Sequence, residues 1–175
     1  MRIFYTLTFL LCLLAPSALE GQVFKIYDNF SELEERIAQT PRSTLLVINF
    51  WATYCKPCVK ELPLFNQLHS KYAGPNFEVL LVSLDFKSQL EKKFVPFLRS
   101  HPLSPEVILL SDQNADNWIP RVSPEWEGLI PVTALILGEE RVLHEGDFEH
   151  LEELEQFIRD FLHRTGQTAL MHSGG

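Results

Sequence analysis

Two kinds of hydrophobic run alternate along this chain. The first is continuous: Thr44 to Ala52 reads TLLVINFWA, and Phe77 to Asp85 reads FEVLLVSLD. Unbroken apolar runs of this length predict strands buried on both sides. A shorter one, EVILLSD from Glu106 to Asp112, predicts a third, and VFKIYD near the start a fourth. The second kind is periodic. After Cys58, Val59, Leu62, Phe65, Leu68 and Tyr72 recur at three- and four-residue steps, which predicts an amphipathic helix with Pro63 inside it and a stop at Gly74-Pro75. Leu151, Leu154, Phe157, Ile158, Phe161 and Leu162 form the clearest stripe, with acidic residues at its start and Arg159, His163 and Arg164 near its end. That polarity suits the helix dipole.

Weaker signals complete the chain. SELEERIAQ predicts a helix capped by Ser31, with Glu34 three residues on. SQLEKKFVPFLRSH predicts a helix interrupted at Pro96. The stretch from Gln113 to Gly128 reads as irregular, with Trp118 and Trp126 packing inward. PVTALILG and RVLHEGD predict two strands joined as a hairpin through Gly138-Glu139-Glu140. Strands alternating with helices, then a hairpin and a helix, predict an α/β fold: a mixed central β-sheet with helices on both faces.

The 175 residues suffice for one domain with a substantial core. A net charge of -8 disfavours a phosphate backbone as partner, so no nucleic-acid role is expected. Arg2, the apolar run from Ile3 to Ala15 and the small residues Ser17 and Ala18 have the layout of a secretory signal peptide. Residues 1–21 are therefore expected to be a signal peptide or an uncleaved N-terminal anchor, the chain's sole membrane contact. The domain follows at 22–165 and a polar tail at 166–175. Cys12 lies in the leader behind Leu11, where a lipoprotein signal needs a small residue, and is read as neither lipidated nor paired.

Cys55 and Cys58 remain, in FWATYCKPCVKELP. A structural zinc site takes four ligands, commonly two such pairs, and no second pair exists. His144 and His150 stand far downstream, so no metal is expected. Cu(I), content with two thiolates, stays as an alternative. A bridge across so short a loop removes little chain entropy, so stability is not its purpose. Redox exchange fits best. The pair sits where a buried strand gives way to a helix, whose free N–H groups and dipole favour a thiolate on Cys55. Lys56 adds positive charge, and Pro57 suits a first helical turn. Cys55 would attack a partner's disulfide, and Cys58 would then displace it. A peroxidase arrangement would want threonine three residues before the attacking cysteine, where Ala52 stands.

FWATYCKPC resembles the active-site segment of thioredoxin-fold proteins, and VINFWATYCKPCVKELP is similar to the TlpA/ResA branch of exported thiol–disulfide oxidoreductases. The resemblance runs from about Gln22 to Arg164 and is loosest between Gln89 and Gly128. It implies a thioredoxin-like fold, no cofactor, and protein disulfides as substrates. A membrane-embedded thiol reductant would supply electrons, and the compartment would be the periplasm or another extracytoplasmic space. Cytochrome c maturation is one setting the branch serves. The resemblance also implies a cis bond between Ile130 and Pro131 in GLIPVTALIL, facing the cysteines, with the backbone of residue 130 pairing to an extended substrate. Thioredoxin's buried aspartate is replaced by Asn49, and Glu61 is the candidate to hold a proton in its stead, or else a solvated helix residue. Tyr54 replaces the usual tryptophan. Trp51 is expected either to touch substrate or to pack in the core. The Lys56-Pro57 pair leaves the direction, reductase or oxidase, undetermined.

Overall fold

The structure, a computed structural model, describes residues 23–171. The expected leader, with Cys12, lies outside the described residues. Six strands form one sheet in the order β1-β4-β3-β2-β5-β6. They are β1 (Phe24–Tyr27), β2 (Leu45–Trp51), β3 (Phe77–Ser83), β4 (Glu106–Leu110), β5 (Val132–Leu137) and β6 (Glu140–Glu145). The first four run parallel, while β5 pairs antiparallel with β2 and β6 antiparallel with β5. Among the described residues five helices cover the sheet: α1 (Phe30–Ala38), α2 (Lys56–Tyr72), α3 (Val95–Ser100), α4 (Ala115–Val122) and α5 (Leu151–Arg164).

Alternation along the strands divides the core in two. Leu45, Val47 and Trp51 of β2 face a cluster with Leu62, Phe65 and Leu68 of α2 and Leu154, Ile158 and Phe161 of α5. Leu46, Ile48 and Phe50 face the other way, toward Phe30 and Leu33 of α1 and Trp118 of α4. Every residue of β2 is buried. This is why its sequence is apolar throughout except at Asn49.

The structure corrects four local expectations. The cap of α1 is Asn29, not Ser31, and the Glu32 carboxylate accepts from the backbone N–H groups of Asp28 and Asn29 at 2.9 and 3.1 Å. The interruption before α3 precedes Pro96: a 3-10 turn at Lys87–Gln89 leads into a π turn at Leu90–Phe94. Proline then occupies the first turn of α3, where it needs no N–H bond. Part of the stretch read as irregular is α4, with Trp118 stacked between Phe30 and Phe50 and close to Trp126. Beyond Gly166, Thr168–Met171 form a 3-10 turn, and Leu170 and Met171 pack on the core.

Candidate active site

β2 ends at Trp51, and after four intervening residues the chain enters α2 at Lys56. Cys55 is the N-cap of that helix, in extended backbone conformation. Its sulfur accepts from the backbone N–H of Cys58 at 3.3 Å, and its carbonyl accepts from the N–H of Val59 at 3.0 Å. One of the donors that a helix start leaves unpaired is thus aimed at this sulfur. The two cysteines are joined as a disulfide, with Cα atoms 5.3 Å apart. Cys58 is wholly buried and Cys55 partly exposed. Only one sulfur of the pair can meet a partner.

The opposite wall comes from the segment before β5. The Ile130–Pro131 peptide bond is cis. The Ile130 carbonyl oxygen lies 3.7 Å from the Cys55 sulfur, so the backbone of residue 130 borders the reactive atom. Pro131 is buried behind it and Leu129 is exposed in front. Tyr54 is more than half exposed and stacks on Phe86, equally exposed, at a ring separation of 6.2 Å. Lys56 and Pro57 are exposed as well. Of the two roles expected for Trp51, the structure places it in the core and not on the substrate surface: it is 0% exposed and packs against Phe94 and Phe97. As the last residue of β2 it points into the core, beneath the motif.

Glu61 lies one turn beyond Cys58 on α2 and is 0% exposed, not a solvated helix residue. One carboxylate oxygen accepts from the Asn49 amide at 2.8 Å and the other from the backbone N–H of Phe148 at 3.0 Å. Burial pushes its pKa up to about 7 despite these two donors, with the charge of Asp147 adding to the rise. The group therefore changes protonation near neutral pH. Asn49 also donates to the Thr133 hydroxyl at 3.2 Å, while its own carbonyl oxygen is buried with no partner among the described residues. A turn of that amide would present the oxygen to a protonated Glu61. The replacement of a buried acid by Asn49 thus puts a reversible hydrogen-bonding partner beside the acid that α2 supplies.

Asp85, just past β3, did not stand out in the sequence. It is 3% exposed and accepts from the backbone N–H of Thr53 at 2.8 Å, the Thr53 hydroxyl and the Ser83 hydroxyl at 2.8 Å. Its signal was faint: an acid closing a buried strand. Among the described residues no group of three or more His, Cys, Asp and Glu side chains could hold a metal. A copper ion at this site would find no third His, Cys, Asp or Glu ligand grouped with the two sulfurs among the described residues.

The chain is similar in sequence and fold to proteins of known description. The model of the AhpC/TSA family matches residues 29–116, and the chain belongs to that family. It is 42% identical over 48 residues to the thiol-disulfide oxidoreductase ResA of Bacillus anthracis, a match covering 27% of this chain and 28% of ResA. It is 32% identical over 84 residues to the thioredoxin-like protein YneN of Bacillus subtilis, covering 47% of this chain and 49% of YneN. These matches thus span between about a quarter and a half of the relatives' lengths. The crystal structure of a thiol:disulfide interchange protein DsbE from Chlorobium tepidum superposes with a TM-score of 0.54 at 28% identity, over 69% of this chain and 82% of that one. The fold is thioredoxin-like.

Proposed function

We propose that the chain is an exported thiol–disulfide oxidoreductase that reduces disulfides in other proteins. The observation that carries this reading is the asymmetry of the cysteine pair: Cys55 is partly exposed at a helix start, and Cys58 is wholly buried behind it. The Cys55 thiolate attacks one sulfur of a substrate disulfide, and the other substrate sulfur leaves as a thiolate. Cys58 then attacks the Cys55 sulfur, releasing the second substrate thiol and closing the Cys55–Cys58 bond. Two electrons pass from the pair to the substrate.

Glu61 is the acid–base partner of Cys58. With a pKa of about 7 it is present in both protonation states at neutral pH, so it can take the proton that Cys58 releases and return it on re-reduction. The substrate lies extended against the backbone of Ile130 and Pro131, with Tyr54 and Pro57 at its side. A membrane-embedded thiol reductant recharges the pair, residues 1–21 direct export to an extracytoplasmic space, and cytochrome c maturation is the process served. No helix among the described residues is long and apolar enough to cross a membrane.

Insulin reduction tests this reading directly, together with equilibration of the pair against glutathione buffers. Turnover with a potential near that of thioredoxin, about -270 mV, supports a reductase. A potential near about -120 mV would make the protein an oxidase. Tight stoichiometric Cu(I) binding without turnover would replace the reading by metal delivery.

A further inference from the structure

We propose that Asp85 is a positioning residue for the reactive cysteine, fixing through Thr53 the turn that holds Cys55 over the start of α2. A carboxylate so deeply buried is costly unless its oxygens are satisfied. No cation does this, because Asp85 takes part in none of the ion pairs among the described residues. Three hydrogen-bond donors do it instead, and two of them belong to Thr53. The third, the Ser83 hydroxyl, also accepts from the Asp85 N–H at 3.1 Å and so holds the carboxylate's own backbone.

Thr53 stands two residues before Cys55, in a turn with few other ties. The Cys55 N–H donates to the Ala52 carbonyl at 3.1 Å, and the Leu84 N–H donates to that of Trp51 at 2.8 Å. Phe86, next to Asp85, stacks on Tyr54. The segment after β3 thus grips residues 53 and 54 side by side, one by its carboxylate and the other by a ring. Cys55 is the first residue past that grip, and its sulfur sits where the Cys58 N–H reaches it. Releasing Thr53 lets the turn relax, carries the sulfur away from the helix start and deprives a thiolate of that donor.

Asp85 could instead act only as a nearby negative charge, as it does on Tyr54, whose pKa is raised by burial and then by Asp85. The two roles predict opposite signs. Removing a negative charge makes the Cys55 thiolate easier to form, whereas loosening the turn makes it harder.

The inference rests on the exchange reading above and is tested on the reduced full chain. The rate of Cys55 alkylation by iodoacetamide is followed against pH in the natural protein, in Asp85→Asn and in Thr53→Val. Thr53→Val keeps the carboxylate and the backbone donor and loses only the hydroxyl. The expected result is a profile displaced to higher pH in Asp85→Asn, with the neutral-pH rate down about fivefold, and a smaller displacement the same way in Thr53→Val. An unchanged profile, or one displaced to lower pH, overturns the proposal. If Asp85→Asn does not fold, the Thr53→Val profile decides by the same signs. Insulin turnover of the natural protein is read separately, so the exchange reading can fail while the displaced alkylation profile still stands.

Discussion

Replacing Glu61 by glutamine removes the one buried carboxyl group among the described residues whose pKa is displaced into the neutral range. The rise from 4.5 to about 7, at about 1.4 kcal/mol for each tenfold change in acidity, corresponds to about 3 kcal/mol. Its sign follows from proton uptake. The folded group holds its proton up to about pH 7, the unfolded one only to about 4.5, so between these values the native state binds more protons. Stability therefore falls as pH rises through that window, and above it the whole penalty of burying an ionised carboxylate is present. Below the window there is none. Glutamine titrates nowhere, and the Asn49 amide can turn its unpaired oxygen toward the new side-chain NH2 group. Urea unfolding of the oxidised protein and of Glu61→Gln should thus give a stability difference that shifts by about 3 kcal/mol in the variant's favour between about pH 4 and pH 8. Altered hydrogen bonds add an offset that does not depend on pH. A difference flat across that range would refute the placement of Glu61 as a buried, near-neutral acid. In the same variant insulin turnover should fall at least about tenfold, since Cys58 loses its proton acceptor.

Other parts of the structure carry their own expectations. Arg36 is 16% exposed at its side chain and binds Glu78 and Glu106 at 2.8 Å each, tying α1 to β3 and β4. Arg36→Ala should cost about 1–3 kcal/mol in urea unfolding and leave insulin turnover per folded molecule unchanged. Tyr54 is 57% exposed and touches Phe86 at the rim. Tyr54→Ala should raise KM for a protein disulfide while moving stability by less than about 1 kcal/mol; an unaltered KM would remove Tyr54 from the substrate surface.

Much of the architecture could be read from the sequence because burial on both sides leaves a continuous mark. β2 and β3 are such cases, and α5 is legible because its core stripe keeps strict helical spacing. α4 was hidden because it is short and contains Pro120, so its hold on the fold comes from Trp118 among three other rings and not from helix propensity. The cysteine pair and the cis proline were legible as motifs, the latter through the family resemblance alone. What surrounds them was not. The hydrogen bond to Glu61 from Phe148 comes from 87 residues away in sequence, and the grip on Thr53 depends on Asp85 across 32. Such contacts exist only once the sheet has formed. Trp51 illustrates the same limit: its side of β2 is set by strand alternation, which a run apolar on both sides conceals.

Two sulfurs divide the labour of exchange, and trapping measures that division. Reduced Cys58→Ser protein mixed with insulin at neutral pH should accumulate a covalent adduct through Cys55 that dithiothreitol releases, while Cys55→Ser should form almost none. Adducts formed equally well through either cysteine, or through neither, would contradict the claim that residue 55 attacks and residue 58 resolves.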